Sequence, residues 1–231
     1  MKSFAVDRKA GLRWLERLLL LAGVLCLGGY AYAWLDTSVT QYRENRLLEE
    51  SLSALRPARR GAPAAETDSL ETFRERDRSA PRREPGPEGS LLGRLEIPRI
   101  GVSAIVLEGT GKKTLRRAVG HIPETELPGE PGNVGVAAHR DSFFRGLKDI
   151  RKNDIITLKT LAGTFRYRVE WTEIVRPEDT HVLDDTGSPA LTLVTCYPFY
   201  YVGSAPKRFI VRARQVDERE AADSSAASGV E

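Results

Sequence analysis

The chain is poor in residues that crosslink or bind metals, with two cysteines and three histidines among 231 residues. Cys26 lies inside an N-terminal apolar run and Cys196 close to the other end. With that run in a membrane, Cys196 has no disulfide partner within the chain. Two cysteines and three dispersed histidines form no zinc pattern, and no cofactor is expected. The formal net charge of +3 is modest and no nucleic-acid motif accompanies it, so a nucleic-acid partner is not expected. No internal repeat is present. Long hydrophobic runs are scarce too, for there is one.

That run is Leu18–Leu35, eighteen residues without a charge, long enough to span a bilayer core as a helix. Lys2, Arg8, Lys9, Arg13 and Arg17 precede it against only Asp7 and Glu16, which predicts residues 1–17 on the cytoplasmic side and the rest exported. Tyr30, Tyr32 and Trp34 crowd its outer end. Ala31-Tyr-Ala33 imitates a signal-peptidase site, but Trp34 and Leu35 carry the apolar run past it, favouring an uncleaved anchor over residues 18–35. Residues 36–90 read as a charged flexible linker between membrane and domain, with ten arginines, no lysine and eleven acidic residues. Thr40–Arg56 has the spacing of a helix, and the Pro- and Gly-rich stretch from Pro57 to Gly89 predicts a flexible spacer. Folding competence concentrates in residues 91–216, enough for one ordinary domain. Residues 217–231 read as a disordered acidic tail.

The domain is predicted to be mainly β. Alternating or β-branched runs place strands at Leu92–Ile97, Val102–Leu107, Val134–Ala138, Asp154–Thr160, Thr164–Val175, Ala190–Thr195 and Arg208–Arg214. Lys112–Val119 is the best helix, and Pro123–Asn133 reads as loop. Asp141 is expected to cap a short helical turn over Ser142–Leu147, with another turn at Pro177–His181. Short strands punctuated by Gly and Pro, with few helices, predict a closed or nearly closed β-barrel.

Cys196 ends the run Ala190-Leu-Thr-Leu-Val-Thr-Cys196, with Pro198 two residues on. A buried strand thus delivers a thiol to its C-terminal end. By residue type alone it would be a small core cysteine. Its surroundings favour a nucleophile. His139 stands just beyond the strand Val134–Ala138, and antiparallel pairing of the last two strands puts Arg208 beside Cys196. A free thiol is mostly protonated at neutral pH, and a neighbouring imidazolium or guanidinium favours the reactive thiolate. The guanidinium can also hydrogen-bond a developing oxyanion, and the imidazole can protonate a leaving amine. The trio describes acyl transfer through a thioester.

Five segments carry a resemblance to a known family: Gly120-His-Ile-Pro123, Leu127–Asn133, His139–Phe144, Thr192–Pro198 and Tyr201–Arg208. In order and spacing they resemble the sortases, membrane-anchored cysteine transpeptidases, and most nearly the class D-like members. Ala138 stands where many relatives have glycine. The resemblance implies an eight-stranded sortase-type barrel with short helices, with Cys196 as nucleophile, His139 as general acid and Arg208 as the oxyanion or substrate-positioning group. It also implies partners: exported proteins bearing a C-terminal sorting motif of the LPXTG type, and an amine acceptor on the cell surface.

Other polar residues read more plainly. His121 is expected to hold a loop by hydrogen bonding and His181 to be solvated. Glu124, Glu126, Glu178, Asp179, Asp184 and Asp185 lack the dense oxygen-ligand spacing of a calcium site and read as loop charge, with no metal expected. Two further functional readings remain: an L,D-transpeptidase, whose nucleophile sits in a Ser-x-Gly-Cys-x-Gly pattern unlike Val-Thr-Cys-Tyr-Pro, and a non-enzymatic envelope binding module.

Overall fold

The structure, a computed structural model, describes residues 8–60, 86–217 and 220–221. Most of the spacer expected up to Gly89, and most of the expected tail, lies outside these residues. Eight strands close into a barrel: β1 (Leu91–Ile97), β2 (Val102–Glu108), β3 (Val119–His121), β4 (Asn133–Ala137), β5 (Ile155–Thr160), β6 (Thr164–Val175), β7 (Ala190–Tyr197) and β8 (Lys207–Val216). Their order around the barrel is β1-β2-β3-β4-β7-β8-β6-β5, and β1 pairs with β5 to close it. The β2–β3 and β4–β7 pairs are parallel; the other six are antiparallel.

The period-2 runs seen in the sequence build the core. Alternate residues such as Leu95, Val106, Val136, Leu158, Leu193 and Val211 point inward and are fully buried. β1 shifts register against β2 between Leu91 and Gly93, and at the closing seam with β5 a Cβ on Gly93 would lie 2.2 Å from the Lys159 carbonyl oxygen. Only glycine admits that approach.

Seven of the eight strands fall where the hydrophobic pattern predicts them. β3 was not expected. The helix that begins at Lys112 stops at Arg117 (α2), and Val119–His121 then joins β2 in parallel and β4 antiparallel. Three residues carry too little alternation to declare a strand. The two short turns are 3-10 turns displaced towards the C-terminus, at Arg145–Asp149 and Thr180–Leu183. Phe144, not Asp141, precedes the first, and no side chain caps it, so Asp141 does not play the capping part expected of it.

The N-terminal helix α1 runs unbroken from Arg8 to Arg60 and contains a segment long and apolar enough to cross a membrane. One residue past the apolar run it engages the barrel. The Asp36 carboxylate accepts from Arg117 Nε and Nη2 at 2.8 and 2.9 Å, and Thr37 Oγ1 donates to the Arg116 carbonyl at 3.3 Å. Gln41 accepts from the Ile105 N–H at 3.0 Å and donates to the Arg117 carbonyl at 2.7 Å. Leu48 is 1% exposed, and beside it Glu49 accepts from Arg94 Nη2 on β1 at 3.0 Å. Beyond β8, Glu220 pairs with Arg168 and Arg214, and Ala221 is buried.

Candidate active site

Three neighbouring strands bring the expected residues to one end of the barrel. Cys196 on β7 pairs directly across the ladder with Arg208 on β8. On the other side of β7, β4 runs parallel to it with Ala137 level with Val194. The Ala138 N–H donates to the Val194 carbonyl at 3.2 Å, and Thr195 Oγ1 donates to the Ala138 carbonyl at 2.8 Å. Ala138 is thereby held beside Val194 and Thr195, and His139 emerges at the level of Cys196. His139 is exposed, while Cys196 and Arg208 are half-buried. Arg208 Nη1 donates to the Ala205 and Lys207 carbonyls at 3.3 and 3.0 Å, bracing the guanidinium against its own loop.

The opposite face of these strand ends is closed by aromatic rings. Tyr197, Phe199 and Phe209 pack with ring centroids 5.3–6.3 Å apart, and Phe199 and Phe209 extend the barrel core beneath the site. The following loop is tied across it. Arg140 Nη2 donates to the Tyr201 and Gly203 carbonyls at 2.7 and 3.2 Å, with its guanidinium 5.8 Å from the Tyr201 ring centroid.

A wall stands next to the thiol. The β6–β7 connection folds over the outer face of β7 and β8, where Val182 packs with Val175 and Ile210 alongside Leu183 and Val194. Val194 and Ile210 lie two residues from Cys196 and Arg208 on the same face of their strands. One carbonyl fixes this wall. Val182 O accepts from Arg212 Nη2 at 2.6 Å, Asn133 Nδ2 at 3.2 Å and Thr192 Oγ1 at 3.4 Å. Asn133 also donates to the Asp184 carbonyl and accepts from Thr192 Oγ1. Arg212 lies 5.5 Å from the Trp171 ring centroid, and its Nε and Nη1 are buried without a partner. Burial pushes its pKa down, against the smaller pull of Glu170. Sequence reasoning did not find this cluster. Asn133 looked like the end of a loop and Arg212 like one more strand arginine.

The other histidines fall where expected. His121 is fully buried, with Nδ1 2.9 Å from Glu108 Oε2 and Nε2 within reach of the Glu126 carbonyl and Thr125 Oγ1 at 3.0 and 3.2 Å. It ties β2 and β3 to the loop that follows. His181 is exposed. Of the acidic loop residues, Asp179 caps the Arg176 N–H and Asp185 the Gly187 N–H, and among the described residues no three metal-binding side chains cluster.

Comparison with known proteins places this barrel among the transpeptidases. The Sortase domain family matches residues 95–216. Sortase D of Bacillus subtilis is 32% identical over 201 residues, covering 86% of this chain and 96% of that protein. The chain belongs to the sortase family. Among solved structures, sortase A from Corynebacterium diphtheriae (a lid mutant) is 27% identical with a TM-score of 0.53, covering 75% of this chain and 95% of that one. A Clostridium perfringens Sortase D5 transpeptidase shares the fold with a TM-score of 0.56 at 24% identity, over 79% of this chain and 99% of its own. Family membership decides among the three functional readings in favour of the sortase.

Proposed function

We propose that this sortase is a single-pass protein of the cytoplasmic membrane, held by residues 18–35, whose extracytoplasmic domain of residues 91–216 joins exported proteins to the cell surface. The substrate is an exported protein with a C-terminal LPXTG-like motif. Cys196 is the nucleophile, His139 the general acid and Arg208 the group that positions the scissile carbonyl. The observation that carries this reading is the direct cross-strand pairing of Cys196 with Arg208, with β4 delivering His139 to the same end.

The Cys196 thiolate attacks the scissile carbonyl carbon, and the carbonyl electrons move onto oxygen. Arg208 Nε and Nη2, which carry no bond to described residues, are the donors available to that oxyanion. As the tetrahedral species collapses, the C–N bond breaks and His139 hands its proton to the leaving amine. A thioester on Cys196 remains. An incoming amine from the cell-surface acceptor attacks it and gives up a proton to the imidazole, and the C–S bond breaks to release the Cys196 thiolate, which restores the starting pair.

The test is mass spectrometry of the protein after incubation with an LPXTG-like peptide. The expected result is a thioester adduct on Cys196, absent in Cys196→Ala. His139→Ala nearly abolishes transpeptidation, and Arg208→Lys, which keeps charge but loses the planar fork, impairs turnover while the fold persists. Turnover by Cys196→Ala overturns the assignment, because Cys26 is the only other thiol.

A further inference from the structure

The active-site end of the barrel is also the end at which α1 leaves it. β3 is parallel to β2 and antiparallel to β4, so β4 exits the barrel where β2 enters. A cleft of about 420 Å³ at that end is lined by Thr37 of α1, by Val102 and Ser103 at the start of β2, by Arg116, and by Ser142 and Phe143 just after His139. Thr37 stands two residues past Leu35, the last residue of the apolar run, on an unbroken helix. Asp36, between them, is clamped to Arg117. No slack separates the membrane-crossing segment from this end of the barrel.

The same end carries an apolar tip. In the β7–β8 loop Val202 is 99% exposed, Tyr200 76% and Tyr201 47%. Three consecutive large residues held open to water on a tied loop differ from the scattered exposed apolar residues of an ordinary surface. Arg145, Lys152 and Lys207 are exposed around the same end, against exposed Asp141 and Asp149. Tyrosines with apolar and cationic neighbours match the chemistry of a membrane–water interface, where the rings sit among headgroups and the cations meet lipid phosphates.

The geometry points to a membrane-docking site: the Tyr200–Val202 tip inserts into the headgroup layer of the anionic bilayer that holds α1, so that the Cys196 end of the barrel faces the membrane. This rests on the proposed anchoring. Each residue of helix rises about 1.5 Å, so Thr37 lies within a few ångströms of the end of the apolar run. The barrel end beside it is therefore within reach of the headgroups, and the opposite end, with the β5–β6 turn at Leu161, is a barrel length away. Cys196 then works beside the membrane surface.

The test uses the full chain with Cys26→Ser and Cys196→Ala and one new cysteine, Val202→Cys or Leu161→Cys, labelled with a polarity-sensitive fluorophore. The protein is reconstituted in vesicles of equal parts phosphatidylglycerol and phosphatidylcholine, with or without brominated acyl chains. The expected result is that the label at 202 shifts to the blue and loses at least half its emission to the brominated lipid, while the label at 161 is unchanged. Quenching at 161 alone, at both positions or at neither overturns the docking site when the chain floats with the vesicles. Failure of the chain to float overturns the anchoring, and the docking site with it.

Discussion

Two covers lie on the outside of this barrel, and they are held by opposite means. Helix α1 crosses β1 and β2, where Ile105, Leu107 and Ala118 form a small buried cluster with Leu91. The β6–β7 connection crosses β7 and β8 over Val175, Val182 and Ile210. Both shield apolar residues, yet the ion pairs of α1, Asp36–Arg117 and Glu49–Arg94, each leave one side chain open to solvent. The loop is pinned through buried donors on the single Val182 carbonyl. Exposed pairs contribute little and are screened by salt, whereas a buried acceptor stripped of its donors carries its full desolvation penalty. The loop wall beside Cys196 is therefore part of the barrel, and α1 is a docked segment.

The largest expected effect breaks the pin. Asn133→Ala removes donors to Val182 and Asp184 and the acceptor for Thr192, and is expected to cost about 3 kcal/mol in urea unfolding. In transpeptidation it raises KM for the peptide more than it lowers kcat, because the wall moves while Cys196 and Arg208 remain paired. An unchanged unfolding midpoint would show that the loop is held by its apolar contacts alone.

Leu48→Ala probes the other cover. Its side chain is buried where α1 crosses the barrel, and truncation is expected to cost about 2 kcal/mol in the full chain, with faster proteolysis of α1 and no change in peptide KM. Equal KM effects from Leu48→Ala and Asn133→Ala would erase the distinction between the two covers.

Asp36→Ala and Arg117→Ala, combined in a double-mutant cycle, are expected to couple weakly and to lose that coupling as sodium chloride is added. The Asn133→Ala effect is insensitive to salt. A salt-resistant Asp36–Arg117 coupling would mean that this pair too is shielded from water.

The smallest effect is a control in the core beneath neither cover. Tyr167 is fully buried with its hydroxyl unpartnered, and burial pushes its pKa up. The unfolded phenol loses its proton near pH ~10 while the folded one keeps it, so the unfolded state binds fewer protons and stability falls as pH rises above that value. Tyr167→Phe is expected to change stability at neutral pH by less than about 1 kcal/mol and to flatten the alkaline decline, read from unfolding midpoints across pH.

Much of this was legible because hydrophobic periodicity is a local property. The alternation in Ile155–Thr160 or Leu191–Val194 records which residues face the core, whatever the strand pairs with. The position of Cys196 at a strand end follows from the run before it and Pro198 after it. Its closeness to Arg208 follows from adjacent strands in an antiparallel hairpin, the one non-local pairing a sequence suggests cheaply. The apolar run Leu18–Leu35 needed only length and charge.

The rest required partners far away in the chain. β3 became a strand because β2 and β4 offered it free edges on both sides. His139 comes level with Cys196 through a parallel pairing between segments some 57 residues apart, as the Thr195–Ala138 hydrogen bond records, and no local pattern encodes it. Asn133, Thr192 and Arg212 read as three unrelated polar residues until the fold aimed them at one carbonyl. By itself the sequence determined which residues face inward and singled out the side chains proposed for the chemistry, because those depend on nearest neighbours along the chain. The tertiary structure alone decided which backbone groups those side chains would satisfy and which end of the barrel lies beside the exit of α1, because unpaired polar groups and apolar faces are matched only once distant segments meet.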